Sequence, residues 1–253
     1  QNTNYKSYTK YLSLMNINTI DFRSYFNSIK DDSEYPLIPQ TGIHWSFYGQ
    51  KIAIDSIISF MEYNFNYDLP RAILDTLIIG PPVKTDIDLE KAINLFFKIG
   101  NLEMAIPEFH FESKKGKDKV SCITIADSFY WQMFNKGMSS KCFTNGKFWY
   151  YSKRIYPDFY KNGLKVNDVN VWEKIEETDV VMFLVTEATL YKFPFDFFKE
   201  LKKNPQDTIS IKEREEKIIS IIKRIRNNKK WFDLVKKKAR KQNKSTEETL
   251  YQE

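Results

Sequence analysis

Val120-Ser121-Cys122-Ile123-Thr124-Ile125-Ala126-Asp127-Ser128-Phe129-Tyr130-Trp131-Gln132-Met133-Phe134 has the pattern of a strand that turns directly into a helix. Its opening residues are rich in β-branched side chains, the composition of a strand, and polar groups interrupt the run at Asp127-Ser128. Phe129 to Phe134 then reads as helix, closed by Gly137. A strand that passes directly into a helix is the building unit of an open α/β sheet. Val180-Val181-Met182-Phe183-Leu184-Val185 supports the same reading, because a continuous apolar run is expected of a parallel strand covered on both faces.

Upstream, a helical stretch over Tyr5 to Met15 leads into Ile17-Asn18-Thr19-Ile20-Asp21, which reads as a short strand. Ser46 is placed to cap a helix whose Ile54, Ile57, Ile58 and Met61 share a face. Ala72 to Ile79 is apolar and is stopped by Gly80-Pro81-Pro82. An acidic helix start at Asp86 to Glu90 follows, continued by Ala92, Ile93, Leu95 and Phe96. Beyond Asp207 the pattern is wholly helical. Ile218, Ile221, Ile222 and Ile225 share a face, Trp231, Leu234 and Val235 continue it past a break at Asn227-Asn228, and Ser245-Thr246-Glu247-Glu248 is a capping box. The expected architecture is an α/β domain over residues 1–205 with a mostly parallel sheet, and a helical extension over 206–253 packed on it.

The chain has 253 residues, enough for a sizeable core, with only two histidines, His44 and His110, and two cysteines, Cys122 and Cys142. That scarcity argues against His-rich or Cys-based zinc sites, so no metal and no cofactor is expected. One bridge between the cysteines stays open in an oxidising compartment. The net charge of +6 arises mostly from Lys223 to Lys244, read as the solvated face of a helix rather than a nucleic-acid surface. No apolar run reaches the ~20 residues that span a bilayer, and no charged-then-apolar leader follows Gln1.

In open α/β sheets, sites form beyond the carboxyl ends of the strands. Asp21, Asp127-Ser128 and Glu187 end three expected strands. Ser128, at a strand-to-helix turn, has the exposure a nucleophile needs and backbone N–H groups for an oxyanion. A serine also needs a base. Thr41-Gly42-Ile43-His44-Trp45-Ser46-Phe47-Tyr48-Gly49 supplies one in His44, just before a helix start, whereas His110 lies in the alternation Phe109-His110-Phe111-Glu112 of an ordinary strand.

Pro39 to Gly49 resembles the His-Trp motif of the SGNH-hydrolase-like domain found in alginate O-acetyltransferases and related DHHW-motif proteins. Ile123 to Phe129 is similar to that family's Gly-Asp-Ser-Phe nucleophile segment, and the His motif precedes the Ser in both. Asp88-Leu89-Glu90 through Asn94-Leu95-Phe96 and the segment Asp179 to Leu190 are similar too, so the resemblance covers roughly residues 8 to 200. It implies a three-layer α/β/α, SGNH/flavodoxin-like fold and O-acetyl transfer or ester hydrolysis on an extracytoplasmic polysaccharide. Ser128 is then nucleophile, His44 base, and Asp127 part of the nucleophile segment. Trp45, Tyr130, Trp131, Trp149 and Tyr150 are expected to contact glycan, a membrane acyl-transfer partner is expected as donor, and nucleic acid is not.

Three positions depart from the family. Its Asp two residues before the His falls on Gly42, its Gly before Asp-Ser is Ala126, and Ala188 stands where an Arg commonly follows the late acidic residue, here Glu187. Losing the carboxylate of a Ser-His-Asp set costs on the order of 10⁴ in turnover. Asp21 and Glu187 are the expected substitutes. A Ser-His dyad held by a backbone carbonyl, or a glycan-binding protein without turnover, are the alternatives.

Overall fold

The computed structural model describes residues 3–94, 99, 102–203 and 211–250. It divides into two compact units, residues 1–203 and 204–253. The boundary expected between 205 and 206, and the expected apolar positions Leu95 and Phe96, lie outside the described residues.

The first unit runs α1 (Asn4–Leu14), α2 (Phe22–Ile29), α3 (Phe47–Phe65), β1 (Ala72–Gly80), α4 (Asp88–Ala92), β2 (Met104–Phe111), β3 (Cys122–Ala126), α5 (Tyr130–Asn135), β4 (Lys147–Tyr150), β5 (Arg154–Tyr156), α6 (Asp158–Asn162), α7 (Val171–Glu176), β6 (Val180–Leu184) and α8 (Phe197–Lys203). It is a mixed α/β fold whose four-stranded sheet has the order β5-β4-β3-β6. The strand named first in the sequence, β3, lies inside this sheet and is parallel to both neighbours, β4 and β6. In register, Ala126 meets Tyr150 on one side and Leu184 on the other, which brings three carboxyl ends level at one edge.

The sheet is less uniformly parallel than its sequence suggests. β5 runs antiparallel to β4, because only Tyr151 to Lys153 connect them and a parallel return needs a much longer crossover. β1 and β2 pair antiparallel in a separate two-stranded sheet, with a register shift between Leu74 and Thr76. Residues 17–21 form no strand. Asp21 instead caps α2, its carboxylate accepting from the Ser24 N–H at 3.0 Å.

Every residue of β3 is buried, and its side chains alternate between two hydrophobic clusters. Cys122 and Ala126 join Phe148 and Tyr156, the Ile54, Ile57, Ile58 and Met61 face of α3, and Tyr130 and Met133 of α5. Ile123 and Ile125 join Trp149, Ile155, Val166, Val171, Phe195 and Phe197. Trp149 is thus a core residue, 1% exposed, and its expected role against glycan is corrected by the pleat of β4, which turns it into the second cluster. Trp149→Ala is expected to cost about 3–5 kcal/mol of stability. Denaturant unfolding checks this; a loss below about 1 kcal/mol would place the indole outside the core.

The second unit contains α9 (Ile211–Asn227), α10 (Lys229–Lys241) and α11 (Thr246–Leu250). Asn228 makes the expected break, its side chain accepting from the Trp231 N–H at 3.2 Å as the cap of α10. The capping box is present, with Glu248 N–H donating to Ser245 Oγ at 3.1 Å and Ser245 N–H to Glu248 Oε2 at 2.9 Å. Ile222, Ile225, Val235 and Leu250 form a small core, while Ile218, Ile221, Trp231 and Leu234 are exposed.

Candidate active site

Ser128 follows β3 by one residue and is half-buried at the sheet edge. The residue between them, Asp127, is fully buried and sets the turn. Its Oδ1 accepts from the Phe129 N–H at 3.0 Å, and its Oδ2 accepts from the Thr186 N–H and hydroxyl, both at 2.8 Å, and from the Thr189 hydroxyl at 2.6 Å. A buried carboxylate is tolerated only when its lone pairs are filled, and here filling them ties the Asp127-Ser128 turn to the segment after β6. Asp127 therefore holds Ser128 in place without facing it.

His44 reaches the same edge from the loop before α3. Ser46 caps that helix, accepting from the Gly49 N–H at 2.9 Å while donating to the Pro36 carbonyl at 2.6 Å. Trp45 points inward, 4% exposed, and packs edge-on against Phe22 and Phe129 at ring separations of 5.9 and 5.4 Å. Phe129 also lies 4.9 Å from the His44 ring, so it supports the imidazole from the turn that carries Ser128. His44 Nε2 stands 3.0 Å from Ser128 Oγ, the reach that proton transfer requires.

The carboxylate that meets His44 is that of Asp88, the first residue of α4. Its Oδ2 is 2.7 Å from His44 Nδ1 and its Oδ1 accepts from the Ile43 N–H at 2.8 Å. One carboxylate thus fixes both the ring and the backbone beside it. The Nδ1 proton belongs on the Asp88 side, which leaves the Nε2 lone pair facing Ser128. Backbone bonds from Leu89 N–H and Glu90 N–H to the Thr41 carbonyl, 3.1 and 3.4 Å, stitch α4 to the His loop.

Gly42 explains why the acid arrives from there. A Cβ at Gly42 would lie 2.6 Å from the Thr85 carbonyl oxygen and 2.5 Å from Pro39 Cγ. The bare glycine allows the 85–88 turn to approach, and that approach delivers Asp88. Gly42→Asp is therefore expected to damage the site rather than repair it, lowering ester turnover at least a hundredfold and stability by about 1–3 kcal/mol. Kinetics and unfolding of the variant check this; unchanged turnover would show that the close approach is dispensable.

Asp21 and Glu187, the expected acids, do not touch His44. The Tyr5 hydroxyl donates to Asp21 Oδ2 at 2.6 Å, and Arg23, lying 4.3 Å over the Tyr5 ring, pairs with Glu187 at 3.2 Å. Asp21 is drawn off by its capping role and Glu187 by a surface cation. Asp88 carried a readable signal, an acid at a helix start, but its pairing with the His loop depends on long-range packing.

Among the expected glycan contacts, Trp45, Tyr130 and Trp149 are buried and present no open face. Tyr130 donates to or accepts from Ser139 at 2.8 Å inside the core. Trp131 and Tyr150 are half-buried and meet edge-to-face at 5.3 Å. Tyr151, just past β4, adopts a left-handed backbone at φ 50°, an uncommon state for a bulky residue and one associated with functional sites. Its N–H donates to the Ala126 carbonyl at 2.9 Å, two residues before Ser128. Burial raises its pKa, so it remains a neutral phenol and a proton donor near neutral pH.

Cys122 and Cys142 are free thiols buried in the first cluster, and burial pushes both up to about 12. No group of three metal-ligating side chains occurs among the described residues, and no helix among them is long and apolar enough to cross a membrane. Compared with known protein families, curated proteins and solved structures, the chain matches none.

Proposed function

We propose that this chain is a serine-dependent acyl-ester enzyme that transfers or hydrolyses O-acetyl groups on a carbohydrate. The observation that carries the reading is the continuous relay Ser128 Oγ, His44, Asp88, with contacts of 3.0 and 2.7 Å. A three-layer SGNH-like arrangement agrees with the parallel trio β4-β3-β6, the clusters on alternate faces of β3, and the His motif preceding the Ser. In the reaction, Ser128 Oγ attacks the acetyl carbonyl carbon and His44 Nε2 takes the hydroxyl proton. The carbon–oxygen bond to the leaving alcohol then breaks, and Nε2 returns the proton to that alcohol. A sugar hydroxyl or water next attacks the acetyl-serine carbonyl carbon, His44 Nε2 taking its proton; the bond from that carbon to Ser128 Oγ then breaks, and Nε2 returns the proton to Ser128 Oγ, which frees the acetylated sugar or acetic acid. Asp88 stabilises the imidazolium in both halves.

The Ser128 N–H and the Tyr151 hydroxyl are the donors proposed for the oxyanion. Tyr151→Phe is expected to lower kcat by about 10² with little change in KM, the size of one lost oxyanion donor. An unaltered kcat would remove Tyr151 from the chemistry.

The carbohydrate substrate, an extracytoplasmic location and a membrane acyl-transfer partner as donor follow from the family resemblance, and no nucleic-acid partner is invoked. A binding protein without turnover is less favoured, since its main ground is the carboxylate missing at Gly42, and the Asp88 carboxylate at 2.7 Å from His44 Nδ1 supports a substitute. Release of phenol from an aryl acetate by the purified chain, measured with and without oligosaccharide acceptors, tests the reading. Turnover accelerated by acceptor with acetylated sugar as product indicates transfer, and turnover by water alone indicates an esterase. Absence of both with several acyl donors would overturn the enzyme.

A further inference from the structure

Charge is distributed unevenly along this chain. Lys223 to Lys244 contains eleven Lys and Arg against Asp233 alone, a net +10, so the remainder of a +6 chain carries −4. Much of that charge lies on α10, where Val235 and Ala239 are buried against the small core and set the inward face. On a neighbouring flank, residues at helical spacing bring together Lys230, Trp231, Leu234, Lys237, Lys238 and Lys241. Trp231 is 44% exposed and Leu234 63%. At the preceding turn, Arg224, Asn227, Asn228, Lys229 and Lys230 line a shallow open cleft.

A nucleic acid stacks its bases on an exposed Trp but gains nothing from the more exposed Leu234 set among lysines. A bilayer surface gains from both, since apolar side chains enter the headgroup–acyl boundary while cations remain with the lipid phosphates. Indole is also well suited to that boundary, with an apolar body and a polar N–H. We infer that the C-terminal unit docks on an anionic lipid bilayer, with Trp231 and Leu234 inserted and the basic residues of α10 and the adjoining cleft on the headgroups. This interaction is independent of the Ser128 site.

Co-sedimentation of the full chain with vesicles of phosphatidylcholine alone, or with about a third phosphatidylglycerol, tests it. Partition onto the anionic vesicles is expected to be at least about tenfold higher and to fall steeply as salt rises. Trp231→Ser combined with Leu234→Ser retains every cation and changes only exposed positions, so circular dichroism should be unaltered while vesicle binding falls about tenfold. Lys237→Glu with Lys241→Glu should also abolish the preference for anionic lipid. Equal partition onto both vesicle types overturns docking on an anionic surface, and full binding by the Trp231/Leu234 variant overturns insertion. Tight, salt-sensitive binding to duplex DNA without vesicle binding would do so as well, identifying a polyanion surface instead.

Discussion

Asp88→Asn is expected to lower turnover of an acetyl ester by about 10⁴ while leaving KM nearly unchanged. The substitution is nearly isosteric. Its amide oxygen can still accept from the Ile43 N–H, which Asp88 Oδ1 does at 2.8 Å, so the His loop should keep its position. Its NH₂ group then faces His44 Nδ1 and can only donate, which moves the imidazole proton to Nε2 and points it at Ser128. The serine loses its base without losing its neighbour. Asp21→Asn and Glu187→Gln, which alter a helix cap and a surface ion pair, should leave turnover within about twofold. Steady-state kinetics of the three variants decide the matter. A large loss at Asp21 or Glu187, or none at Asp88, would contradict the assignment.

Ser128→Ala should bring turnover to the level left by binding and oxyanion contacts alone, a loss of about 10⁵ to 10⁶. Stability should hardly respond, because Ser128 is half-buried and the turn is fixed by Asp127 through Thr186, Thr189 and the Phe129 N–H. Adding His44→Ala to Ser128→Ala should lower the rate little further, since the two act as a unit. Single-turnover assays on the single and double variants check both statements. Multiplicative losses would mean that the groups work separately.

The strand–turn–helix around Ser128 and the His44 motif were legible because each rests on local chemistry: a β-branched run, a polar stop, a Ser placed to cap a helix. The antiparallel return of β5 was not, because it depends on the left-handed backbones of Tyr151 and Ser152, which neither residue type favours. Residues 17–21 show period-two patterning without a neighbouring strand to pair with, and the cap at Asp21 prevails. The aromatic residues were separated from solvent by pleat and helix phase, which turn Trp149 and Tyr130 inward and leave Trp131 and Tyr150 half-covered. Asp88 could be read as the acid of a helix start and as part of a family-like segment. Its partnership with His44 spans 44 residues and depends on a glycine that admits the 85–88 turn.

In the proposed mechanism Ser128 is a nucleophile made reactive by His44. Treatment of the full chain with a fluorophosphonate, followed by peptide mass mapping, tests it directly, because the reagent loses fluoride only to an activated hydroxyl. A single adduct on Ser128 is predicted, absent in His44→Ala and formed far more slowly in Asp88→Asn. No adduct on Ser128, or one that forms equally well without His44, would contradict it.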